Sequence, residues 1–343
     1  MSSDSFFDIE STSMHVSTDD TTLVITHDLD TVQIQQRLLS ILNKIINSEA
    51  VAFELSITGD YKKSITGYQL EEAISGLFKI EKNINEYQKL HPTIQLFSIT
   101  LNTHNLDELS ASRVVEVNNW LRLFREEANS ISHKRLLRNF QRAASKNLKG
   151  ALDYVNHLFE HHSRLLVVRI DLSYQKAIVK NRAIPSDITR LHRKRLFKRV
   201  QSHPLFKHCL GYIWKLEYGQ YKGFHYHTCF FFNGSKVRRD ITLARSIGEL
   251  WRNEITEGKG LYFNCNAIAN SYVQSGIGDI HYTNQAKRGT LQKVITYITK
   301  VDTAVRLILP QGARTFGRGE FVLRKEETRG RPRSSEELPL SIR

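Results

Sequence analysis

The chain has 343 residues, 40% of them hydrophobic, which is enough for a substantial core in two domains or one large one. Its three cysteines, Cys209, Cys229 and Cys265, form no C-x-x-C pair, so neither a zinc knuckle nor a disulfide framework is indicated, and no apolar run is long enough to span a bilayer. The formal net charge of +14 is unevenly placed: residues 1–150 carry −3 and residues 151–343 carry +17, so the second half fits a polyanionic partner, of which nucleic acid is the commonest. The start of the chain lacks the basic and apolar regions of a secretory signal, and a cytoplasmic location with no membrane partner is expected.

Residues 1–30 hold seven acids and no Lys or Arg. Such a segment buries too little to order itself fully. Residues 31–140 are expected to form a mainly helical accessory domain. Ile34, Leu38, Ile41, Leu42 and Ile45 recur at helical spacing, after Asp30 or Thr31 as a cap. Residues 51–109 show no clear pattern. A helix is expected over 110–128, with Val114, Val117, Leu121 and Phe124 on one stripe, and another over about 145–161, with Leu148, Leu152, Val155 and Phe159.

A second domain is expected over 141–322. Residues 165–172 are a short apolar strand. Pro185 and Ser186 open a helix that carries Arg190, Arg193, Lys194, Arg195, Lys198 and Arg199, six cations in ten residues. A solvated helix face is the plain reading, but the acids that usually interleave with Lys and Arg are missing, which favours a phosphate-facing surface. Strands follow at about 210–218 and 224–233, then a helix at about 238–255, a Gly-, Asn- and Ser-rich loop over 258–278, a strand at 277–282 and a helix at about 290–300. This order indicates an α+β fold, a central antiparallel sheet flanked by helices and preceded by a mainly helical N-terminal region.

Within the strand pair lies Phe224-His225-Tyr226-His227. Side chains alternate along a strand, so both histidines share one face. If residues 219–223 close the hairpin, Tyr218 pairs with Phe224 and Glu217 with His225. Glu217, His225 and His227 then cluster without any long-range assumption, and two imidazoles with a carboxylate hold a divalent ion while leaving positions open. Cys229 shares that face as a possible fourth ligand, although a lone Cys in a strand is more often a small buried side chain. In the last helix Leu291, Val294, Ile295 and Ile298 form the apolar stripe. Tyr297 sits at its edge with Lys293 and Lys300 as surface neighbours. A phenol is a weak nucleophile at neutral pH, so a metal and lysines beside it would be needed for attack on a phosphate.

Taken in order, these residues resemble the HUH (His-hydrophobic-His) endonuclease superfamily. Residues from about 145 to 320 more closely resemble the inovirus gene-II-type, or YagK/YfjJ C-terminal, family of phage and prophage replication initiators. The pieces that carry the resemblance are LVVRIDLS at 166–173, WKLEYG at 214–219, GFHYH at 223–227, YITK at 297–300 and RTFG at 314–317. The resemblance implies a nickase that starts rolling-circle replication. Glu217, His225 and His227 would bind Mg²⁺ or Mn²⁺, Tyr297 would attack the scissile phosphate, and Lys300 would orient or neutralise it. The partner would be single-stranded DNA at a replication origin, met also by Lys293, Arg314 and Arg318, with a host helicase or polymerase as further partners. Initiators with two tyrosines space them one turn apart; here those positions are Lys293 and Val301, so termination needs a second subunit or another tyrosine, such as Tyr272 or Tyr282.

The tail contains Arg329-Gly330-Arg331-Pro332-Arg333. It resembles an AT-hook, which would lay Arg329, Arg331 and Arg333 in the narrow minor groove of an A·T-rich duplex. Two other readings compete with the nickase. One is a DNA-binding protein that keeps the fold without the chemistry. The other is a zinc hydrolase or deaminase using His225, His227 and Cys229, although H-E-x-x-H and P-C-x-x-C are absent.

Overall fold

The computed structural model describes residues 26–57, 60–82, 84, 88–106, 111–175, 184–219, 223–271, 275–300, 305–307, 309 and 313–321. Residues 1–25, Tyr272 and the tail residues Arg329, Arg331 and Arg333 lie outside the described residues. Among the described residues, four α-helices come first: α1 (Thr26–Ile46), α2 (Ile65–Glu81), α3 (Pro92–His104) and α4 (Val114–Asn129). The segment expected to stay unordered therefore already contributes the first turn of α1. Leu38, Leu42, Leu70, Phe97, Val117, Trp120 and Phe124 meet in one core, where the Trp120 and Phe124 rings stack at 5.5 Å.

Residues 51–109, patternless in the sequence, supply α2, α3 and a short hairpin of β1 (Phe53–Leu55) and β2 (Tyr61–Lys63). The stripes were hidden because apolar residues also occupy outer faces: Ile65, Tyr68 and Phe78 on α2 and Ile99 on α3 are exposed. Helix α5 (Ile131–His161) runs for 31 residues, capped by the Ser130 hydroxyl, which accepts from the His133 N–H. The expected helix covered only its second half. Residues 132–147 are largely polar, and only His133 and Phe140 are buried there, between α5 and the N-terminal helices.

The sheet is built from β4 (Arg164–Tyr174), β5 (Cys209–Gly219), β6 (Gly223–Asn233), β7 (Gly260–Asn264), β8 (Gly278–His281) and β10 (Phe316–Arg318). Every pairing is antiparallel, in the order β10-β5-β6-β4-β7. Strand β8 shares the outer edge of β4 with β7, at the opposite end. Away from the sheet, β3 (Gln88–Leu90) of the N-terminal region pairs with β9 (Val305–Leu307). Strand β7 falls inside the expected loop: it is five residues long and bounded by Gly260 and Asn264, so the flanking turn residues conceal it.

Both faces of the sheet are covered. Helices α6 (Ser186–Ser202) and α7 (Asp240–Leu250) lie on the face of Leu166, Val168, Ile170, Leu172 and Phe230. Helices α5 and α8 (Gln285–Lys300) lie on the face of Leu165, Val167, Ile213, Cys229 and Phe231. Two buried faces explain why the first half of β4 reads as a continuous apolar run rather than an alternation. The second half alternates, because one face turns polar at Arg169, Asp171 and Ser173.

Strand β10 closes the β5 edge, with Gly317 opposite Trp214. A Cβ on Gly317 would lie 2.6 Å from the indole, which the Arg193 guanidinium covers at 4.1 Å. The ring has little freedom to retreat, so Gly317→Ala is expected to destabilise the chain by about 1–3 kcal/mol, seen as a lower denaturation midpoint with an unchanged slope.

Candidate metal centre

Three adjacent strands change character at one level. On the face that α5 and α8 cover, β4 reads Leu165, Val167, Arg169, Asp171; β5 reads Ile213, Lys215, Glu217; β6 reads Phe231, Cys229, His227, His225. The register aligns them: Glu217 stands opposite His225, and His227 stands between Lys215 of β5 and Asp171 of β4. The hairpin closes as the sequence predicts, with Tyr218 paired to Phe224, and extends one step further to a Gly219–Gly223 pair.

Glu217, His225 and His227 bring one ligand atom each within 4.8 Å of one another. Both rings are oriented by what their second nitrogen meets. Nδ1 of His225 lies 3.1 Å from the Gly223 carbonyl, so it is the donor there. Gly223 has φ of +64°, a left-handed turn that suits glycine and aims its carbonyl at the ring. Nδ1 of His227 lies 2.9 Å from Asp171 Oδ1, an ion-pair contact too bent for an aligned hydrogen bond. With both Nδ1 atoms engaged, both Nε2 atoms face Glu217 Oε2, at 3.7 Å for His225 and 3.2 Å for His227. A backbone carbonyl or carboxylate behind a metal-binding imidazole is the usual second shell of such a ligand.

The electrostatics follow from burial. Both histidines are 7% exposed. Burial alone would lower the His227 pKa, but Asp171 and Glu217 outweigh it and raise the pKa to about 10. Burial likewise pushes the Glu217 carboxyl upward, and His227 and His225 overcome that and hold it well below the ordinary range. Glu217 Oε1 is buried with no hydrogen-bond partner among the described residues. An orphaned carboxylate oxygen beside two inward Nε2 atoms fits a divalent cation, and its donor set, two imidazoles and a carboxylate, suits Mn²⁺ or Zn²⁺ readily and Mg²⁺ with added water ligands. Cys229 stands apart from this trio among apolar neighbours, and burial pushes its thiol up to about 12. A thiol so reluctant to ionise is a poor fourth ligand.

Helix α8 lays Tyr297 against this cluster. Its ring meets the His227 ring edge-on, with centroids 6.4 Å apart, and the Arg169 guanidinium sits 5.4 Å from its centroid. Arg169 Nε is 3.8 Å from Asp171 Oδ1. Asp171 therefore stands between the His227 ring and the cation that faces Tyr297. Lys215, 1% exposed, adds a further cation on the same face. Sequence reasoning missed Asp171, Arg169 and Lys215. The available signal was the alternation Arg169-Ile170-Asp171-Leu172 inside an apolar strand, since an ionisable residue on a buried face needs a partner.

The other expected contacts are spread more widely. Lys293 is exposed on α8, one turn before Tyr297. Lys300 ends α8, with its side chain outside the described residues. Helix α6 crosses the opposite face of the sheet, so its cations are not brought to the metal ligands. Arg193 covers Trp214 and donates to the Arg314 carbonyl at 3.0 Å. Arg195 pairs with Glu257 at 3.0 Å and Arg199 with Glu254 at 3.1 Å. The acids missing from the α6 sequence are thus supplied by the turn after α7. Lys194 and Lys198 are exposed and Arg190 half-buried. Arg314 is exposed, and Arg318 stacks on Tyr154 and Phe321 at 5.1 and 4.5 Å. Tyr282 donates its backbone N–H to Ser163, which places it about 25 Å along β4 from Asp171.

Residues 126–319 match the YagK/YfjJ C-terminal domain family. That is more than half of the chain, and the chain belongs to this family. No curated protein and no solved structure matches it.

Asp171 tests the second shell. Asp171→Asn keeps the shape and removes the charge behind His227, and it is expected to weaken Mn²⁺ binding by about 10- to 100-fold and to lower the Tm of the metal-free chain, because the buried His227 loses one of its two carboxylate partners. Titration calorimetry of both proteins reads the difference.

Proposed function

We propose that this chain is a metal-dependent nickase of the HUH type that cuts single-stranded DNA at a replication origin and starts rolling-circle replication. The observation that carries this reading is the placement of Tyr297. Its ring stands against a metal-ligand histidine, on the one polar patch of a sheet face that is otherwise apolar. A tyrosine that merely flanked the core would have no reason to meet the only buried His₂-carboxylate trio among the described residues.

A divalent cation held by Glu217, His225 and His227 would supply Lewis-acid polarisation of the scissile phosphate. The chain's own groups perform the rest. The Tyr297 oxygen forms a bond to phosphorus as the bond to the 3′-oxygen breaks, leaving a 5′-phosphotyrosine and a 3′-hydroxyl. The phenolic proton leaves to solvent and the 3′-oxygen takes one up. Arg169, against the ring, favours the phenolate and fixes where it points, and Lys215 and Lys293 add positive charge where the phosphate must lie. The covalent link retains the phosphodiester energy, so rejoining needs no nucleotide. Asp171 holds His227 with Nε2 toward the cation. One tyrosine serves one cut, and Tyr282 is too distant for a second, which leaves a second subunit or another tyrosine, such as Tyr272, to complete termination.

Incubation of the chain with single-stranded origin oligonucleotides and Mn²⁺ is expected to give a covalent protein–DNA adduct. Tyr297→Phe should abolish it, and chelation or Glu217→Ala should reduce its rate by about 100-fold or more. An adduct that survives Tyr297→Phe sinks the assignment of the nucleophile; no adduct with any oligonucleotide from the source replicon sinks the nickase reading.

A further inference from the structure

We propose that the last turn of α5 is a second divalent-metal site, built from His157, Glu160 and His161 and suited to a borderline ion such as Zn²⁺. The three residues sit at i, i+3 and i+4, which places them on one face of a helix. One ligand atom of each lies within 4.8 Å of the others, and His157 Nδ1 is 3.5 Å from Glu160 Oε2. Donors around tetrahedral Zn²⁺ stand about 3.4 Å apart, so side-chain rotation alone closes the set.

Three further features favour an ion there. His161 Nδ1 lies 3.0 Å from the His157 carbonyl, which makes Nδ1 the donor and leaves the Nε2 lone pair free to ligate. Phe321 packs edge-on against the His157 ring at 4.8 Å, and the His157 and His161 rings lie 4.3 Å apart, so both are held before any ion arrives. The turn is also the C-terminal end of a 31-residue helix, where backbone carbonyls favour a cation.

Imidazole nitrogens select Zn²⁺, Ni²⁺ or Cu²⁺ over Mg²⁺. Three protein ligands leave a fourth position for water. Because Phe321 packs on His157, an ion here would also fix the place where the chain leaves β10 for its C-terminal segment. The site lies at the entry to β4, at the far end of that strand from Asp171, so it is separate from the centre described above.

Zn²⁺ titration of the full chain by calorimetry tests the proposal whether or not the sheet site takes Zn²⁺. The wild type is expected to bind one equivalent more than His157→Ala/His161→Ala. Glu160→Gln should keep that equivalent and weaken it by about tenfold. Glu160 and His161 are exposed and His157 is partly buried against Phe321 near the surface, so the variants are expected to retain the fold, which unchanged circular dichroism would verify. Equal stoichiometry in the wild type and the double variant overturns the proposal. So does an extra equivalent that survives His161→Ala with undiminished affinity.

Discussion

His227 is buried only because two carboxylates reach it from opposite sides, Asp171 from β4 and Glu217 from β5. Removing either leaves uncompensated charge in a protein interior, at a cost of about 3–5 kcal/mol. Replacing the whole set with packed apolar residues would be neutral or stabilising on the same grounds. The arrangement is therefore poorly explained as a device for stability. It is well explained as a site, since it aims two imidazole Nε2 atoms and a carboxylate at one point. The apolar half of the same sheet face provides the rigidity: Leu165, Val167, Ile213 and Phe231 lock the strand register that the ionisable half requires.

What was legible in the sequence was local. The Glu217–His225 pairing follows from one hairpin whose strands are joined by a short connection, which leaves little choice of register. The stripes of α1, α4 and α8 were equally readable, because each buries a single face. Asp171 and Arg169 could be read as buried ions in need of partners, but not which partners, because those depend on β4 pairing with β6 across more than fifty residues. The same limit applies to α6. Its cations look unopposed along the chain, yet Glu254 and Glu257 reach Arg199 and Arg195 from a different element. Short strands such as β9 and β10 carry too few residues for any alternation to register. The first half of α5 escaped notice for the opposite reason: it is a helix held by its length and its cap more than by an apolar stripe.

The N-terminal helices are fastened to the sheet-bearing half at more than one point. Strand β3 pairs with β9, just downstream of the Tyr297 helix, and the Gln88 side chain donates to the Tyr218 carbonyl at 3.2 Å, next to the candidate ligand Glu217. The hairpin that carries all three candidate ligands and the chain that follows the Tyr297 helix thus meet the same short N-terminal strand.

Helix α5 makes that relation one of phase. Its first half packs on α3 and α4 and its second half on the sheet, with no joint between them. At 1.5 Å per residue it is a strut about 46 Å long, and each residue advances the direction of its faces by about 100°. A one-residue insertion midway would leave both ends individually well packed. It would nonetheless rotate the N-terminal core by about 100° around the strut and carry β3 away from β9. Length variation among related chains should therefore be rare within 141–150 and, where present, come in whole turns.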